Sequence, residues 1–270
     1  MSSERASAQL RVIATRPKEQ NGGWIKQLQM HGFDSYSLPL LELSPVKSVQ
    51  QRQAIKNLIL ELDSYHGIIF VSQNAVAYAC DWIEDYWPQL PIGLGYFAVG
   101  SKTASVLRNR LQLDAIAANS SMDSEALLSR PELQGNRVAG QKFMICRGVG
   151  GRTTLADVLT SRGAEVHYCE LYQRQCPQSA ANQLTQVKID PQRDIIALFS
   201  GETLNNLIDS AKSVNAKSDT LTSLQRLQLL VPGQRVAQLA RDAGFLRLII
   251  SENASENAML EALTQATKTN

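Results

Sequence analysis

The run RGVGGRT at residues 147–153 is where this chain most openly offers chemistry. Glycines let a backbone approach an anion closely, and the free N–H groups opening a following helix point at it. Arg147 and Arg152 flank the turn as planar donors suited to carboxylate or phosphate. Gly148 and Gly150, with Gly151 beside them, fit the first two glycines of a dinucleotide fingerprint, but Thr153 occupies its third glycine position. Glu170 lies near where such a site would keep its ribose-binding acid, so a nucleotide site competes with a turn that merely needs glycine. Three other turns have a similar character: Ser72, Gln73 and Asn74; Ser200, Gly201, Glu202 and Thr203; Gly233, Gln234 and Arg235. A fourth, Gly100, Ser101, Lys102 and Thr103, looks like a P-loop, yet its spacer FAV reads as strand where a phosphate cradle needs loop.

Taken singly, small polar residues after a strand are helix caps. Taken together with Arg16, Lys102, Arg147, Arg152 and Arg235, these turns suit a ligand carrying several carboxylates or phosphates. The chain has no G-x-S-x-G elbow, no H-E-x-x-H, no paired-aspartate metal motif, and no histidine in the turns. An enzyme built this way works by positioning and backbone dipoles rather than by a strong acid/base pair. Tyr172 is the one nearby side chain with a phenolic proton to offer; half-buried packing is its competing role.

Apolar runs at 11–15, 67–71, 94–99, 114–118, 142–146, 194–199, 228–231 and 247–250 read as strands, and they must position these turns. Most are continuous rather than alternating, which suits parallel strands covered on both faces. Helical patterns fall at 18–31, 73–86, 101–111, 151–162, 202–213, 234–243 and 255–267, with Gly32, Gly163 and Gly244 placed as C-caps. The class is therefore α/β with right-handed crossovers. In such sheets the turns at the carboxyl ends of strands bind ligands.

The pattern is also duplicated. RVIATR (11–16) matches KFMICR (142–147), with Leu28 and Gly32 answering Leu159 and Gly163 at the same offset. GIIFVSQNAVAY (67–78) echoes IIALFSGETLNN (195–206), and AVGSKTASVL (98–107) echoes LVPGQRVAQL (230–239). Three matched pairs predict two similar lobes, each a parallel sheet flanked by helices, with a ligand between them. The extended segments LPLLEL (38–43) and YCELYQR (168–174) break the rhythm and read as hinge strands joining the lobes. That assigns 1–38 plus 174–270 to lobe A and 44–168 to lobe B; a plain split at the middle is the alternative.

At 270 residues the chain suits two domains, and a formal charge of +2 gives no argument for nucleic acid or an anionic membrane. The first residues, MSSERASAQL, carry no apolar core of signal-peptide length, and no stretch approaches a spanning helix. Cys80, Cys146, Cys169 and Cys176 form no C-x-x-C pair, and His31, His66 and His167 are scattered, so reduced thiols, a cytoplasmic location and no metal are expected. No large apolar helix face is left over, which favours a monomer. The polar stretch 213–223 reads as a loop.

TRP (15–17), FVSQNAV (70–76), AVGSKTA (98–104), SEALL (124–128), the RGVGGR turn with RGAEV (162–166), LYQR (171–174), FSGETL (199–204) and VPGQRVA (231–237) resemble the uroporphyrinogen-III synthase family in order and spacing. The LPLLEL crossing belongs to the same set, which spans about residues 10–264. The resemblance implies a cofactor-free cytosolic enzyme with two α/β lobes on a two-stranded hinge. Its substrate would be hydroxymethylbilane, a linear tetrapyrrole with eight carboxylates. The family removes the terminal hydroxyl, inverts ring D through a spirocyclic pyrrolenine and closes the macrocycle as uroporphyrinogen III. Closure without the enzyme gives the non-inverted isomer. By motif, Tyr172 matches a tyrosine thought to assist loss of the hydroxyl, while Ser72, Thr103 and Ser200 match polar positions lining the cleft. Gly233 stands where many relatives have serine, and Asn74 replaces a residue that is proline in some of them. A transient contact with the enzyme that makes the bilane is also implied. The competing class is a two-lobed protein that binds a tetrapyrrole or another polyanion without converting it.

Overall fold

The computed structural model describes residues 9–118, 124–214 and 220–268. The chain begins with β1 (Arg11–Ala14), α1 (Lys18–Met30), β2 (Asp34–Ser37), β3 (Glu42–Pro45) and α2 (Val49–Leu60). Then come β4 (Gly67–Phe70), α3 (Gln73–Tyr86), β5 (Gly95–Ala98), α4 (Ser101–Leu111), β6 (Ile116–Ala117), α5 (Ser124–Leu128) and α6 (Gly135–Val138). The glycine turn lies between β7 (Lys142–Gly148) and α7 (Thr154–Ser161), and the long strand β8 (Glu165–Gln175) leads to α8 (Ala180–Gln186). The remainder is β9 (Asp194–Ala197), α9 (Gly201–Ser213), α10 (Thr220–Gln225), β10 (Gln228–Pro232), α11 (Gly233–Asp242), β11 (Arg247–Ser251) and α12 (Glu256–Lys268).

Two compact units result, Met1–Glu42 with Gln175–Asn270, and Leu43–Arg174. The first holds a parallel sheet in the order β11-β10-β9-β1-β2. The second sheet runs β3-β8-β7-β4-β5-β6, parallel from β8 through β6. Counted along its own chain, the first unit has the flavodoxin-like order 2-1-3-4-5. The second repeats that spatial order with permuted connectivity: β7 and β8 occupy the places of β1 and β2 but come last in the chain. The duplication visible in the sequence is thus a duplication of sheet topology.

All four residues of β4 and of β9 are buried, because helices cover both faces of each sheet. In the first unit Trp24 and Leu28 of α1 pack with Val12 and Ala14 on one face, and Leu204 and Leu207 of α9 pack with Ile13 and Ile196 on the other. In the second, α3 contributes Val76, Ala79 and Cys80 to one face, and α7 contributes Leu155 and Leu159 to the other.

Some elements depart from the sequence expectation. Helix α2 carries little sequence signal, because only Ile55 and Ile59 are buried in it and its apolar stripe is narrow. Strand β2, DSYS, has no apolar run; its edge position asks only for backbone pairing with β1. The segment 38–43 is not a hinge strand over its length. Leu38 and Leu40 are fully buried in the first unit, and their N–H groups donate to the carbonyls of Ala14 (2.9 Å) and Thr15 (3.0 Å). The extended partner of β8 is instead β3, and the units meet at 42/43 and 174/175. Within 213–223, residues 215–219 lie outside the described residues, and 220–223 are helical, opening α10 so that Leu224 can be buried.

A buried ion pair fixes the start of the first sheet. Arg11 Nε and Nη2 donate to the Asp194 carboxylate at 2.8 and 2.6 Å, across the β1–β9 register, and the Asp194 side chain is fully buried. Removing one partner of such a pair strands a buried charge, so Arg11→Ala is expected to cost about 3–5 kcal/mol in urea unfolding; a loss below about 1 kcal/mol would contradict this role. All four cysteines are free thiols: Cys80, Cys146 and Cys169 are buried, and Cys176 is half-buried. Burial pushes the Cys80 thiol up to about 11. The Cys146 thiol is also raised, by its hydrogen bond with Cys169 and by burial. Both thiols are therefore protonated and shielded at pH 8, so iodoacetamide should label Cys176 first in the native protein. Early labelling of Cys80 or Cys146 by peptide mass would contradict the burial.

Candidate functional site

The carboxyl ends of β7 and β4 are neighbours at the point where the second unit's strand order reverses, which is where open α/β sheets bind ligands. Between β7 and β8 the register changes from Arg147 opposite Glu170 to Gly148 opposite Tyr172, leaving Leu171 as the extra residue of a bulge. Side chains alternate along a strand, so an unbroken register would put Tyr172 on the same face as Tyr168 and Glu170. The bulge turns it to the opposite face, with Cys146 and Cys169.

There Tyr172 is 5 % exposed, and its position is determined on several sides. Its ring lies against Gly148, where a Cβ would fall 2.8 Å from Tyr172 Cε2. It stacks on Tyr78 of α3 with ring centroids 5.0 Å apart and planes 18° apart. Its hydroxyl lies 3.2 Å from Ser72 Oγ. Ser72 also accepts the N–H of Ala75 (3.1 Å) as the N-cap of α3, so the cap orients the hydroxyl that meets the phenol.

The glycine turn is braced from within. Buried Arg147 donates from Nε to the Gly148 carbonyl and from Nη1 to the Arg152 carbonyl, and its guanidinium lies 4.7 Å from the centre of the Tyr168 ring. Gly151 has φ +96° and leaves the space that Arg147 fills: a Cβ there would sit 2.5 Å from Nη2. The Gly150 N–H donates to Glu170 Oε1 at 3.0 Å. A carboxylate held at that amide occupies the place where the nucleotide reading requires a phosphate, and it weighs against that reading.

A pocket of 330 Å³ opens at this edge, lined by Ser72, Arg147, Gly148, Gly150, Gly151, Arg152 and Tyr172. Seven residues singled out from the sequence are therefore brought together. Ser124, Tyr168 and Arg174 also line it and were missed as site residues. Tyr168 and Arg174 carried one signal, an arginine and a second tyrosine on the strand of Tyr172; Ser124 opens a helix of five residues and carried none.

The next turn, after β5, lines no part of this pocket. Its Thr103 is 4 % exposed and donates to the Val99 carbonyl at 3.1 Å, so Ser101 and Lys102 are what it presents to solvent, beside a buried Gly100. Gln73 is exposed and Asn74 half-buried at the start of α3.

The first unit carries the corresponding set. Ser200 caps α9 with backbone angles (−162°, 164°) nearly equal to those of Ser72 (−164°, 164°). It forms a reciprocal capping box with buried Thr203, next to buried Gly201 and half-buried Glu202. Arg16 is ion-paired with Glu256, donates to Gln20 at 3.1 Å and lies over the Phe199 ring. Gly233 opens α11 at φ +67°, followed by exposed Gln234 and Arg235; a Cβ on Gly201 would lie 3.8 Å from Arg235 Nη1. The Ser200 and Arg235 turns are thus adjacent within this unit.

Comparison with known proteins places these features in a family. A family model described as "Uroporphyrinogen-III synthase HemD" matches residues 23–261. Uroporphyrinogen-III synthase of Escherichia coli is 31 % identical over 255 residues, covering 93 % of this chain and 99 % of that protein. A structure of a mutant uroporphyrinogen III synthase from Thermus thermophilus superposes with a TM-score of 0.61 at 16 % identity, covering 97 % of this chain and all of that one. The uroporphyrinogen-III synthetase structure from Helicobacter pylori gives 0.59 at 11 % identity, covering 96 % and 100 %. The two structures share the fold.

The glycine–tyrosine packing is testable by itself. Gly148→Ala should lower stability by about 1–3 kcal/mol, because the methyl group must displace the Tyr172 ring. A melting temperature equal to that of the wild type would show that the ring is not held as described.

Proposed function

The chain belongs to the uroporphyrinogen-III synthase family, and from that premise we infer how its residues perform the reaction. The protein cyclises hydroxymethylbilane to uroporphyrinogen III, with inversion of ring D and loss of water, in tetrapyrrole biosynthesis. The small-molecule substrate is the linear tetrapyrrole. Loss of the terminal hydroxyl is the step at which a proton donor helps, since hydroxide is a poor leaving group and water a good one. In this reading Tyr172 is the catalytic residue that supplies that proton, and Ser72 orients its hydroxyl. The observation that carries the reading is the position of the Tyr172 hydroxyl, 3.2 Å from Ser72 Oγ in a pocket also lined by Arg152 and Arg174.

The carboxylates are gripped by helix N-termini and arginines: Arg152 and the Ser72, Gln73, Asn74 turn, with Ser101 and Lys102, in the second unit; Arg16, the Ser200 turn, Gln234 and Arg235 in the first. Arg147 shapes the glycine turn from beneath. Eight carboxylates offer enough anions to engage several such turns at once. Ring closure needs no added catalyst, so the protein's main task is to hold the chain until ring D attacks through its substituted carbon. The reading requires neither metal nor cofactor. It places the protein in the cytoplasm as a monomer that meets the bilane-producing enzyme transiently. Free thiols support that compartment, and no helix among the described residues is long and apolar enough to cross a membrane.

Chromatography of the product formed from hydroxymethylbilane should show the type III macrocycle. Tight binding with only the type I isomer would favour the binding-protein alternative. Tyr172→Phe should lower kcat by about 10²-fold or more while the protein stays folded, as expected for loss of a positioned proton donor. Unchanged turnover in that variant would remove the phenol from the mechanism.

A further inference from the structure

Tyr78 projects from α3 onto Tyr172, and no property of the reaction by itself demands a second tyrosine there. A tyrosine side chain has two soft torsions: the first places the phenolic oxygen, and the second sets the ring plane, in which the O–H bond prefers to lie. Gly148 limits that plane by close approach, and Tyr78 by near-parallel stacking at 5.0 Å and 18°. Both Ser72, the hydrogen-bond partner of the phenol, and Tyr78 belong to the start of α3, Ser72 as its cap and Tyr78 within it. A single rigid helix therefore sets the ring plane and the hydroxyl direction together.

We propose that Tyr78 is a positioning residue of this enzyme, acting through Tyr172 by holding its ring in the plane that aims the phenol at the departing hydroxyl. The inference rests on the role given to Tyr172 above. It is the face of the Tyr78 ring that matters, so Tyr78→Phe should keep at least about half of wild-type kcat. Tyr78→Met conserves volume and apolar contact but not planarity. It should lower kcat about tenfold with KM changed less than about twofold, because a misaimed donor slows the chemical step rather than binding.

The deciding experiment is a double-mutant cycle in steady-state turnover of hydroxymethylbilane. With the phenol removed by Tyr172→Phe, adding Tyr78→Met should cost no more than about twofold further, because there is no hydroxyl left to aim. An equal tenfold loss in both backgrounds would overturn the proposal and leave the Tyr172 role standing. Full activity of Tyr172→Phe alone would overturn both. Should Tyr78→Met fail to fold, Tyr78→Phe still decides: kcat below about a fifth of wild type in a folded protein would contradict a role carried by the ring.

Discussion

The ring of Tyr172 can lie against residue 148 only because that residue has no side chain, and only because a bulge at Leu171 brings the two opposite one another. These conditions reinforce each other. Any Cβ at 148 would meet the ring at under 3 Å, and an unbulged β8 would put the ring on the other face of the sheet. With both satisfied, the phenol comes to the cap of α3 at the carboxyl edge of the sheet, beside the braced glycine turn. A parallel sheet supplies the rest, since every strand-to-helix turn ends at the same edge with N–H groups facing outward.

The two units apply that arrangement twice. Their sheets share one strand order, and Ser72 and Ser200 cap equivalent helices with backbone angles that agree within a few degrees. What differs is what each turn does with its arginine. Arg16 is ion-paired to Glu256 and lies over Phe199, whereas Arg147 is buried as a brace that shapes the glycine turn. The arginines that matched in sequence therefore do different work. In the second unit, Arg152 and Arg174 are exposed residues of the pocket lining.

Much of this was legible in the sequence because it rests on local patterns. Continuous apolar runs marked the buried parallel strands, and α3 and α4 begin and end where their periodicity says. The second unit's sheet edge was harder. A bulge has no sequence signature in YCELYQR, so nothing in the chain said that Tyr172 and Tyr168 would face opposite ways. Arg147 reads as an anion donor from its neighbours, and only burial against Tyr168 shows it to be structural. Thr103 likewise reads as a lining hydroxyl until its bond to the Val99 carbonyl turns it inward. The short helices near Ser124 and the polar helix α2 escaped because their apolar stripes are too narrow to stand out.

The absence of a strong acid/base pair in the sequence agrees with a reaction whose ring closure proceeds unaided and whose difficulty is the loss of one hydroxyl and the choice of isomer. In the proposed mechanism a proton from Tyr172 accompanies that loss. The most direct test is the single-turnover rate of type III formation in ordinary and heavy water. Turnover should be slower in heavy water for the wild type, with no such difference for the residual activity of Tyr172→Phe. Equal wild-type rates in the two solvents, or an isotope effect that persists undiminished without the phenol, would contradict it.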